Sequence, residues 1–288
     1  MARSVGSEEL GYIDAILAAD DSGLSQAFAR DLHWAYWAAA PATRSTPEDF
    51  AHAAARLTER FCEAAGIADG QRILDTGCGI GGTVASINER FGNVAVTGLN
   101  IDPRQLSIGK RTAFARDGNR IAFTGGNACI LPYREATFDV VLALEAIFHF
   151  PSRADFFREA KRVLRPGGRL AITDFVPSPL IAPAIRLASR SGGRDLRAAT
   201  GSVDMSVSAR RYRRLARATG FECIGIEDIS RNVAPSYPMM RELTRLVVRR
   251  TTGSRSKEIS ADVAMRIGEM ALRLGLVRYE ILVFRDVR

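Results

Sequence analysis

A run of glycines follows a short apolar segment near residue 75, and its spacing favours binding of an anionic group. The segment reads Ile-Leu-Asp-Thr-Gly-Cys-Gly-Ile-Gly-Gly over residues 73–82. Glycine permits positive φ and lets a ligand come close to bare backbone. The helix expected to begin near Thr83 would present free N–H groups to a negative charge. The pattern therefore predicts a strand, a tight ligand-binding turn and a helix start.

Polar residues at the ends of two later apolar segments could do acid–base chemistry. His149 is one of only three histidines and lies in an otherwise apolar stretch. A neutral imidazole can take a proton from a hydroxyl group. Glu145 begins that stretch and Asp174 follows the fifth predicted strand, and such carboxylates could stabilise positive charge on an acceptor. A structural role for His149, with its ring bonded to nearby backbone, remains the alternative.

Short β-rich runs alternate with helical stretches after residue 70, which predicts the framework that positions these side chains. The predicted strands are 72–76, 94–99, 121–124, 138–144, 169–173, 221–229 and 278–284. Such alternation implies right-handed crossovers and a doubly wound, mostly parallel α/β sheet. Apolar residues at helical spacing predict a helix over 46–65. The Leu-Arg-Pro-Gly-Gly segment at 164–168 predicts a turn before the fifth strand.

We divide the chain into one core and the segments that cover it. These are an N-terminal helical lid (1–66), a cofactor-binding core (67–176), a cap insertion (177–206), a core helix and strand (207–230), a second, largely helical cap insertion (231–275) and a closing strand (276–288). Doubly wound folds bind ligands at the carboxyl ends of their strands. The caps should roof that edge with apolar contacts, unless the same residues are ordinary core. The residues concerned are Phe175, Tyr237, Met239 and Met240.

Composition excludes several classes of function. Of the 288 residues, 47% are hydrophobic and 25% charged, which is typical of a soluble globular protein without a membrane span. The first ten residues lack the pattern of a secretory signal, so we expect a cytoplasmic location. The four cysteines form no C-x-x-C pair, which argues against a thiolate metal site. The net charge is +8, but the basic residues are spread along the chain, so a nucleic-acid substrate is only the minor alternative.

The spacing of Asp75, Gly77, Gly79 and Gly81 resembles the first motif of class I S-adenosylmethionine-dependent methyltransferases. The dinucleotide fingerprint requires no acid before its glycines. Later segments continue the resemblance in order over about 36–284, toward the small-molecule branch that includes sugar O-methyltransferases and sterol or prenyl C-methyltransferases. The resemblance implies a seven-stranded Rossmann-like sheet. It also implies S-adenosylmethionine as methyl donor, S-adenosylhomocysteine as product, and no metal.

The resemblance assigns further cofactor contacts. Asn100 ends the second strand, where the family places an acid or amide on the ribose hydroxyls, with Gln105 nearby. Asn127 stands where an aspartate usually lies near the adenine amino group, and its side-chain oxygen can still accept a hydrogen bond. The alternatives are that the asparagines only form turns and that the aromatic residues around Tyr36 only pack. The remaining expected contacts are Tyr36, at the methionine end, Ala128 and Leu144.

The acceptor is less well determined by the resemblance. Related O-methyltransferases often carry two consecutive histidines at the positions of Phe148 and His149, the first acting as base, and this chain keeps only the second. The resemblance predicts methyl transfer to a hydroxyl or electron-rich carbon of a hydrophobic or aromatic small molecule in secondary metabolism. A nucleic-acid methyltransferase and, less favoured, a nicotinamide-dependent oxidoreductase are the alternatives. The sequence leaves room for a homodimer without determining the oligomeric state.

Overall fold

Seven strands form one mixed sheet in the computed structural model, which describes residues 23–39, 45–191 and 203–288. The strands are β1 (Arg72–Thr76), β2 (Ala95–Asn100), β3 (Arg120–Gly125), β4 (Phe138–Ala143), β5 (Leu164–Pro177), β6 (Phe221–Asp228) and β7 (Val277–Asp286). Their order is β3-β2-β1-β4-β5-β7-β6, and β7 alone runs antiparallel to its neighbours. This arrangement confirms the doubly wound, mostly parallel sheet.

Helices cover both faces of the sheet. In the described residues they are α1 (Leu24–Ala27), α2 (Pro47–Ala65), α3 (Gly82–Arg90), α4 (Pro103–Thr112), α5 (Arg153–Val163), α6 (Ala182–Ser191), α7 (Ala209–Ala218), α8 (Ser230–Val233), α9 (Tyr237–Thr252) and α10 (Arg255–Arg273). Buried side chains of α2 and α3, including Phe61 and Ile87, share one hydrophobic cluster with the sheet. Those of α5 and α7, including Phe157 and Tyr212, share the cluster on the opposite face.

Helix α2 begins where its sequence predicts. The Thr46 side chain accepts from the Asp49 N–H at 3.1 Å, and the Asp49 carboxylate accepts from the Thr46 N–H at 2.9 Å. This capping box satisfies backbone donors that a helix start leaves without partners. Pro47 suits the first helical position because no N–H is needed there. The helix places Phe50, Leu57 and its other buried residues against the core.

The fifth strand differs from its prediction. Leu164 already pairs with Phe138, and regular pairing resumes at Val140 and Arg169 after a register shift. The expected turn at 164–168 is therefore wrong as a boundary, because the residues between the two pairings form an irregular bulge within one long strand. Glycine at 167, with φ +76°, supplies the conformation that such a bulge needs. The other predicted strands match within two residues.

The segments outside the core are only partly helical. Residues 28–39 contain no helix, so the aromatic residues there pack from irregular backbone. The part of the first cap that the structure describes contains α6, and the second cap consists of α8, a 3₁₀ turn (Ala234–Ser236), α9 and α10. Residues 1–22 and 192–202 of the predicted lid and cap lie outside the described residues.

Candidate active site

The glycine-rich turn lies between β1 and α3 and has the conformation that its glycines predict. Gly77, Gly79 and Gly81 have φ angles of +78°, +55° and +92°. A Cβ added to Gly77 would lie 2.5 Å from the Cβ of Ala146, so only glycine fits between this turn and the segment after β4. The Gly77 N–H donates to the Leu99 carbonyl oxygen at 2.7 Å. The turn thus joins the ends of three strands.

Asp75 is the penultimate residue of β1 and has a buried carboxylate with spare hydrogen-bonding capacity. Its Oδ2 atom has no hydrogen-bond partner among the described residues. Burial raises the pKa of Asp75 to about 7, although nearby His33 acts to lower it. Buried oxygen atoms in folded proteins normally accept a hydrogen bond, so this oxygen is suited to accept one from a bound ligand. The ammonium group of an amino acid moiety would supply one with a favourable charge.

Asn100 and Gln105 lie together beside the glycine turn. The Asn100 Nδ2 atom donates to Gln105 Oε1 at 2.9 Å and to the Gly79 carbonyl oxygen at 3.3 Å. The Asn100 Oδ1 atom accepts from the Ile101 N–H at 2.8 Å. Both side chains are buried. The structure therefore brings the predicted ribose-binding pair to the rim of the glycine turn, where Asn100 also stabilises the turn itself.

Asn127 follows β3 and is half-buried. Its Oδ1 atom accepts from the Cys129 N–H at 2.9 Å, which is the turn-forming role expected of asparagine. An amide oxygen has two lone pairs, so this bond leaves capacity for a second donor. Ala128 and Leu144, the other expected contacts near this edge, are buried.

Aromatic residues of the lid pack against the sheet and the second cap. The Tyr36 side chain is half-buried, and the Tyr36 N–H donates to the Ala53 carbonyl oxygen of α2 at 2.8 Å. The Trp34 ring meets the rings of Tyr237 and Phe175 edge-on, with centroids 4.7 and 5.2 Å apart. These contacts show the packing role, and they build an apolar wall from three separate parts of the chain. Met240 is partly buried against the cluster that contains this wall, whereas Met239 is buried in the separate cluster formed with α1 and α2.

Glu145 lies directly after β4 with an unusual backbone conformation, φ +50° for a non-glycine residue. Its two carboxylate oxygens each accept from the Trp34 N–H at 3.2 Å, and Oε1 also accepts from the Tyr279 hydroxyl at 2.5 Å. Its own N–H donates to the Thr173 hydroxyl at 2.8 Å. Burial raises the pKa of Glu145 to about 7. The lid and β7 thus hold the Glu145 carboxylate beside the aromatic wall, and β5 holds its backbone.

A histidine that sequence analysis did not select lies between these carboxylates. The His33 Nδ1 atom lies 2.7 Å from the Trp34 carbonyl oxygen, and Nε2 lies 3.0 Å from the Thr58 hydroxyl and 3.4 Å from Asp31 Oδ1. Two acceptors that cannot donate, one at each nitrogen, favour the imidazolium form. Burial acts to lower the pKa of His33, but Asp31 raises it to about 9, with a smaller contribution from Glu145.

No local sequence signal could have found this imidazolium. His33 precedes Thr58 by 25 residues, and its neighbours Asp75 and Glu145 lie farther along the chain. The same holds for Tyr279, which is 134 residues from Glu145. These residues meet only because the lid and β7 pack against the strand ends.

His149 ends a 3₁₀ turn (Ile147–His149) after β4. The turn is closed by a hydrogen bond from the His149 N–H to the Ala146 carbonyl oxygen at 3.0 Å. The His149 ring is half-buried and lies 4.6 Å from the Phe148 ring between centroids. Phe148, in the place of the first family histidine, is buried. The structure places His149 at the carboxyl edge of the sheet, as expected for an acceptor-side residue.

Asp174 lies on the opposite face of β5 from Thr173 and is fully buried. Its Oδ2 atom accepts from Arg153 at 3.0 Å and from the Tyr212 hydroxyl. Burial raises the pKa of Asp174 to about 6, although Arg153 acts to lower it. Its contacts are therefore to an internal ion pair rather than to the cluster around Glu145.

Other groups add little chemistry to the site. Within residues 23–39, 45–191 and 203–288, no three His, Cys, Asp or Glu side chains are grouped to hold a metal ion. All four cysteines are free thiols. None of the described helices combines the length and apolar character needed to cross a bilayer.

The residues at this edge fit S-adenosylmethionine. The glycine turn offers backbone for close approach, Asp75 offers an oxygen to which no described residue donates, and Asn100 with Gln105 offers paired amides near the end of β2. The amino acid, ribose and adenine parts of the cofactor therefore have suitable hydrogen-bonding partners, in that order, along the carboxyl ends of the strands.

Known proteins resemble the chain over the same region. Residues 74–172 match the family described as a methyltransferase domain. The 27-O-demethylrifamycin SV methyltransferase of Amycolatopsis mediterranei is 36% identical over 222 residues, 76% of each chain. The sterol 24-C-methyltransferase of Eremothecium gossypii is 37% identical over 134 residues, 46% of this chain and 35% of the relative. The geranyl diphosphate C-methyltransferase of Streptomyces coelicolor, solved with S-adenosylhomocysteine, superposes with a TM-score of 0.71 over both whole chains at 19% identity.

Proposed function

This chain belongs to the S-adenosylmethionine-dependent methyltransferases, and we propose that it methylates a hydroxyl group of a hydrophobic small molecule of secondary metabolism. The observation that carries the proposal is the single histidine, His149, in an apolar turn at the acceptor edge. Relatives acting on small molecules favour this function over nucleic-acid methylation and over nicotinamide chemistry. Methylation of an electron-rich carbon is the second candidate.

We assign the donor side to the residues around the glycine turn. Bound S-adenosylmethionine supplies an electrophilic methyl group on a sulfonium. Asp75 would hold the ammonium, Asn100 and Gln105 the ribose hydroxyls, and Asn127 the adenine amino group. The turn through Gly77, Gly79 and Gly81 would take the carboxylate end against backbone, with Tyr36, Ala128 and Leu144 as apolar contacts.

On the acceptor side, His149 would take the hydroxyl proton as the acceptor oxygen forms its bond to the methyl carbon. Alignment and exclusion of water by the aromatic wall would supply much of the rate enhancement, since positioning can contribute roughly 7 kcal/mol or more. Glu145 would orient the acceptor through its bonded network with Trp34 and Tyr279. Asp174 would act indirectly through Arg153.

One observation favours the carbon-methylation candidate. Glu145 is a desolvated carboxylate against the aromatic wall of Trp34 and Phe175, and such a group stabilises positive charge that develops on an apolar acceptor. In that case Glu145 would be essential and His149 would be structural. The two candidates therefore assign opposite importance to two residues that lie four positions apart.

Two measurements test the proposal. Calorimetry should show binding of S-adenosylhomocysteine, and binding of NADH without it would overturn the assignment of the donor. Transfer of labelled methyl groups should then be followed with 27-O-demethylrifamycin SV and a panel of hydroxylated hydrophobic compounds. His149→Ala should abolish transfer to oxygen, whereas His52→Ala, at an exposed position of α2, is the matched control. Unchanged turnover in His149→Ala would make His149 structural.

We further propose that two copies pair through α10. Five exposed apolar residues, four in α10 and one at its C-cap, lie on one face at helical spacing, and each is 48–67% exposed: Ile259, Val263, Ile267, Met270 and Leu274. The face is about 22 Å long, more than scattered surface residues would produce. If two copies pair with their α10 helices antiparallel, the start of this face in one copy packs against its end in the other, so the face is complementary to itself. Carboxylates of α10 that form ion pairs with arginines lie outside this face.

Light scattering after gel filtration tests the dimer. The chain should elute as a dimer and Ile267→Glu as a monomer, whereas Ile130→Glu, at an exposed apolar residue elsewhere, should not change the mass. A monomeric parent chain would overturn the proposal.

We also propose a cytoplasmic location, with which the four free thiols are compatible. Cell fractionation would test it.

A further inference from the structure

One buried arginine joins four parts of the chain next to the acceptor edge. The Arg153 Nε atom donates to the Tyr212 hydroxyl of α7 at 2.8 Å, and Nη2 donates to Asp174 of β5 at 3.0 Å. Its Nη1 atom donates to Asp204 Oδ2 at 3.0 Å, and Nη2 also bonds the Asp204 carbonyl oxygen. Arg153 itself begins α5. A planar guanidinium with several fixed donors is suited to such a junction.

Asp204 connects this junction to the turn that carries His149. The Asp204 N–H donates to the Phe148 carbonyl oxygen at 2.9 Å, one residue before the histidine. The other carboxylate oxygen of Asp204 accepts from the Ser206 N–H at 2.9 Å and from the Ser206 hydroxyl at 2.6 Å. The end of the first cap, residues 203–206, is thereby fastened to the acceptor side of the sheet.

The bridge differs from a surface ion pair in its surroundings. The Arg153 and Asp174 side chains are almost completely buried, whereas the Asp204 side chain is about half exposed, 51%. Removing Arg153 would leave Asp174 buried without its cation, which is strongly destabilising. Removing the Asp204 carboxylate leaves the buried Arg153–Asp174 pair and the backbone hydrogen bonds of Asp204 intact, and removes only the ion pair with Arg153 and the bonds to Ser206. Asp204 therefore allows the attachment to be tested without dismantling the core.

We propose that the Arg153–Asp204 bridge is a positioning device that sets the orientation of the His149 turn and closes the end of the first cap beside the acceptor. The proposal deepens the proposed function and rests on it. Neither residue needs to touch the acceptor or the cofactor. Asp174, which sequence analysis selected as an acceptor-side carboxylate, takes part by anchoring Arg153.

Two substitutions of Asp204 separate the ion pair from the local turn. Asp204→Ala removes the contacts of its carboxylate to Arg153 and to Ser206. Asp204→Asn keeps an acceptor for Ser206 but removes the negative charge opposite Arg153. The positioning role predicts that both variants behave alike, and a role confined to the Ser206 turn predicts that only the alanine variant changes. Glu222→Ala, which removes an exposed ion pair with Arg285 on β6 and β7, is the matched control.

Hydrogen exchange and histidine NMR provide the readout without a known acceptor. In both Asp204 variants the amides of His149 and Phe150 should exchange about tenfold faster, and the His149 ring signals should shift, while those of His33 stay in place. Affinity for S-adenosylhomocysteine should stay within twofold of the parent chain. Parent-like exchange and ring signals in both variants, or a change in the alanine variant alone, would overturn the proposal. Failure of the parent chain to bind S-adenosylhomocysteine would instead refute the proposed function.

Discussion

Binding of S-adenosylhomocysteine should strengthen as pH rises toward neutrality, because it should require the ionised form of Asp75. The buried carboxylate has a pKa of about 7 and an oxygen that accepts no hydrogen bond from the part of the chain that the structure describes. If the ligand ammonium binds the carboxylate, affinity follows the ionised fraction, which rises from about 9% at pH 6.0 to about 76% at pH 7.5. The expected gain is about eightfold, or roughly 1.2 kcal/mol. This range lies below the titration of the ligand's own amino group.

Calorimetry in two buffers with different ionisation enthalpies measures both the affinity for S-adenosylhomocysteine and the number of protons released on binding. Affinity should rise over this range, and near pH 7 binding should release about half a proton. Asp75→Asn should bind more weakly, with most of the pH dependence gone. Glu145→Gln is the control, because the Glu145 carboxyl also has a pKa of about 7 and is assigned to the acceptor side. Constant affinity in the parent chain, with no proton release, would refute the assignment of Asp75 to the ammonium.

Two further predictions concern the glycine turn and the lid. Gly77→Ala should reduce affinity for S-adenosylhomocysteine at least tenfold and destabilise the fold by about 1–3 kcal/mol, because its Cβ would meet Ala146 at positive φ. The control is Gly167→Ala, which is also at positive φ but in open space. This variant should lose only about 1 kcal/mol of unfolding free energy and bind S-adenosylhomocysteine normally. Equal binding losses would contradict the steric argument. The raised pKa of His33 stabilises the fold fully below pH 6.5, and this contribution is lost as pH rises through about 9. The difference in unfolding free energy between parent and His33→Gln, measured with denaturant, should therefore shrink by roughly 2–3 kcal/mol between pH 6 and pH 10. A constant difference would exclude the ion pair with Asp31.

The conformation of the glycine turn was predictable from sequence because its residues are contiguous. Asp75 and the glycines occupy seven consecutive positions, and their spacing predicted the positive φ angles and the preceding strand that the structure shows. The position of Asn100 beside this turn was also predictable, since adjacent parallel strands end at one edge of the sheet. In the structure the Asn100 side chain bonds the Gly79 carbonyl oxygen. Strand bounds were predictable for a similar reason, because apolar runs between glycines and helices leave few alternatives.

The acceptor side depends on pairings between distant segments. Tyr279 reaches Glu145 because the antiparallel register of β5 and β7 places Tyr279 opposite Phe175, and no local sequence pattern specifies that register. Asp174 was selected as an acceptor-side carboxylate, and its ion pair with Arg153 was not predicted because Arg153 belongs to another element. The bulge in β5 was hidden for a related reason, since proline and glycine signal a break but not whether pairing resumes on the same neighbour.

The choice between oxygen and carbon as the methylated atom reduces to the roles of Glu145 and His149, and a pH profile alone does not separate them. A base must be neutral to accept a proton, and a carboxylate must be ionised to stabilise a cation, so both mechanisms lose rate as pH falls. Glu145→Gln keeps an acceptor for the Tyr279 hydroxyl and a similar volume, but it cannot carry negative charge. Loss of turnover in that variant with persistence in His149→Ala would therefore identify carbon methylation, and the reverse pattern would identify a hydroxyl acceptor.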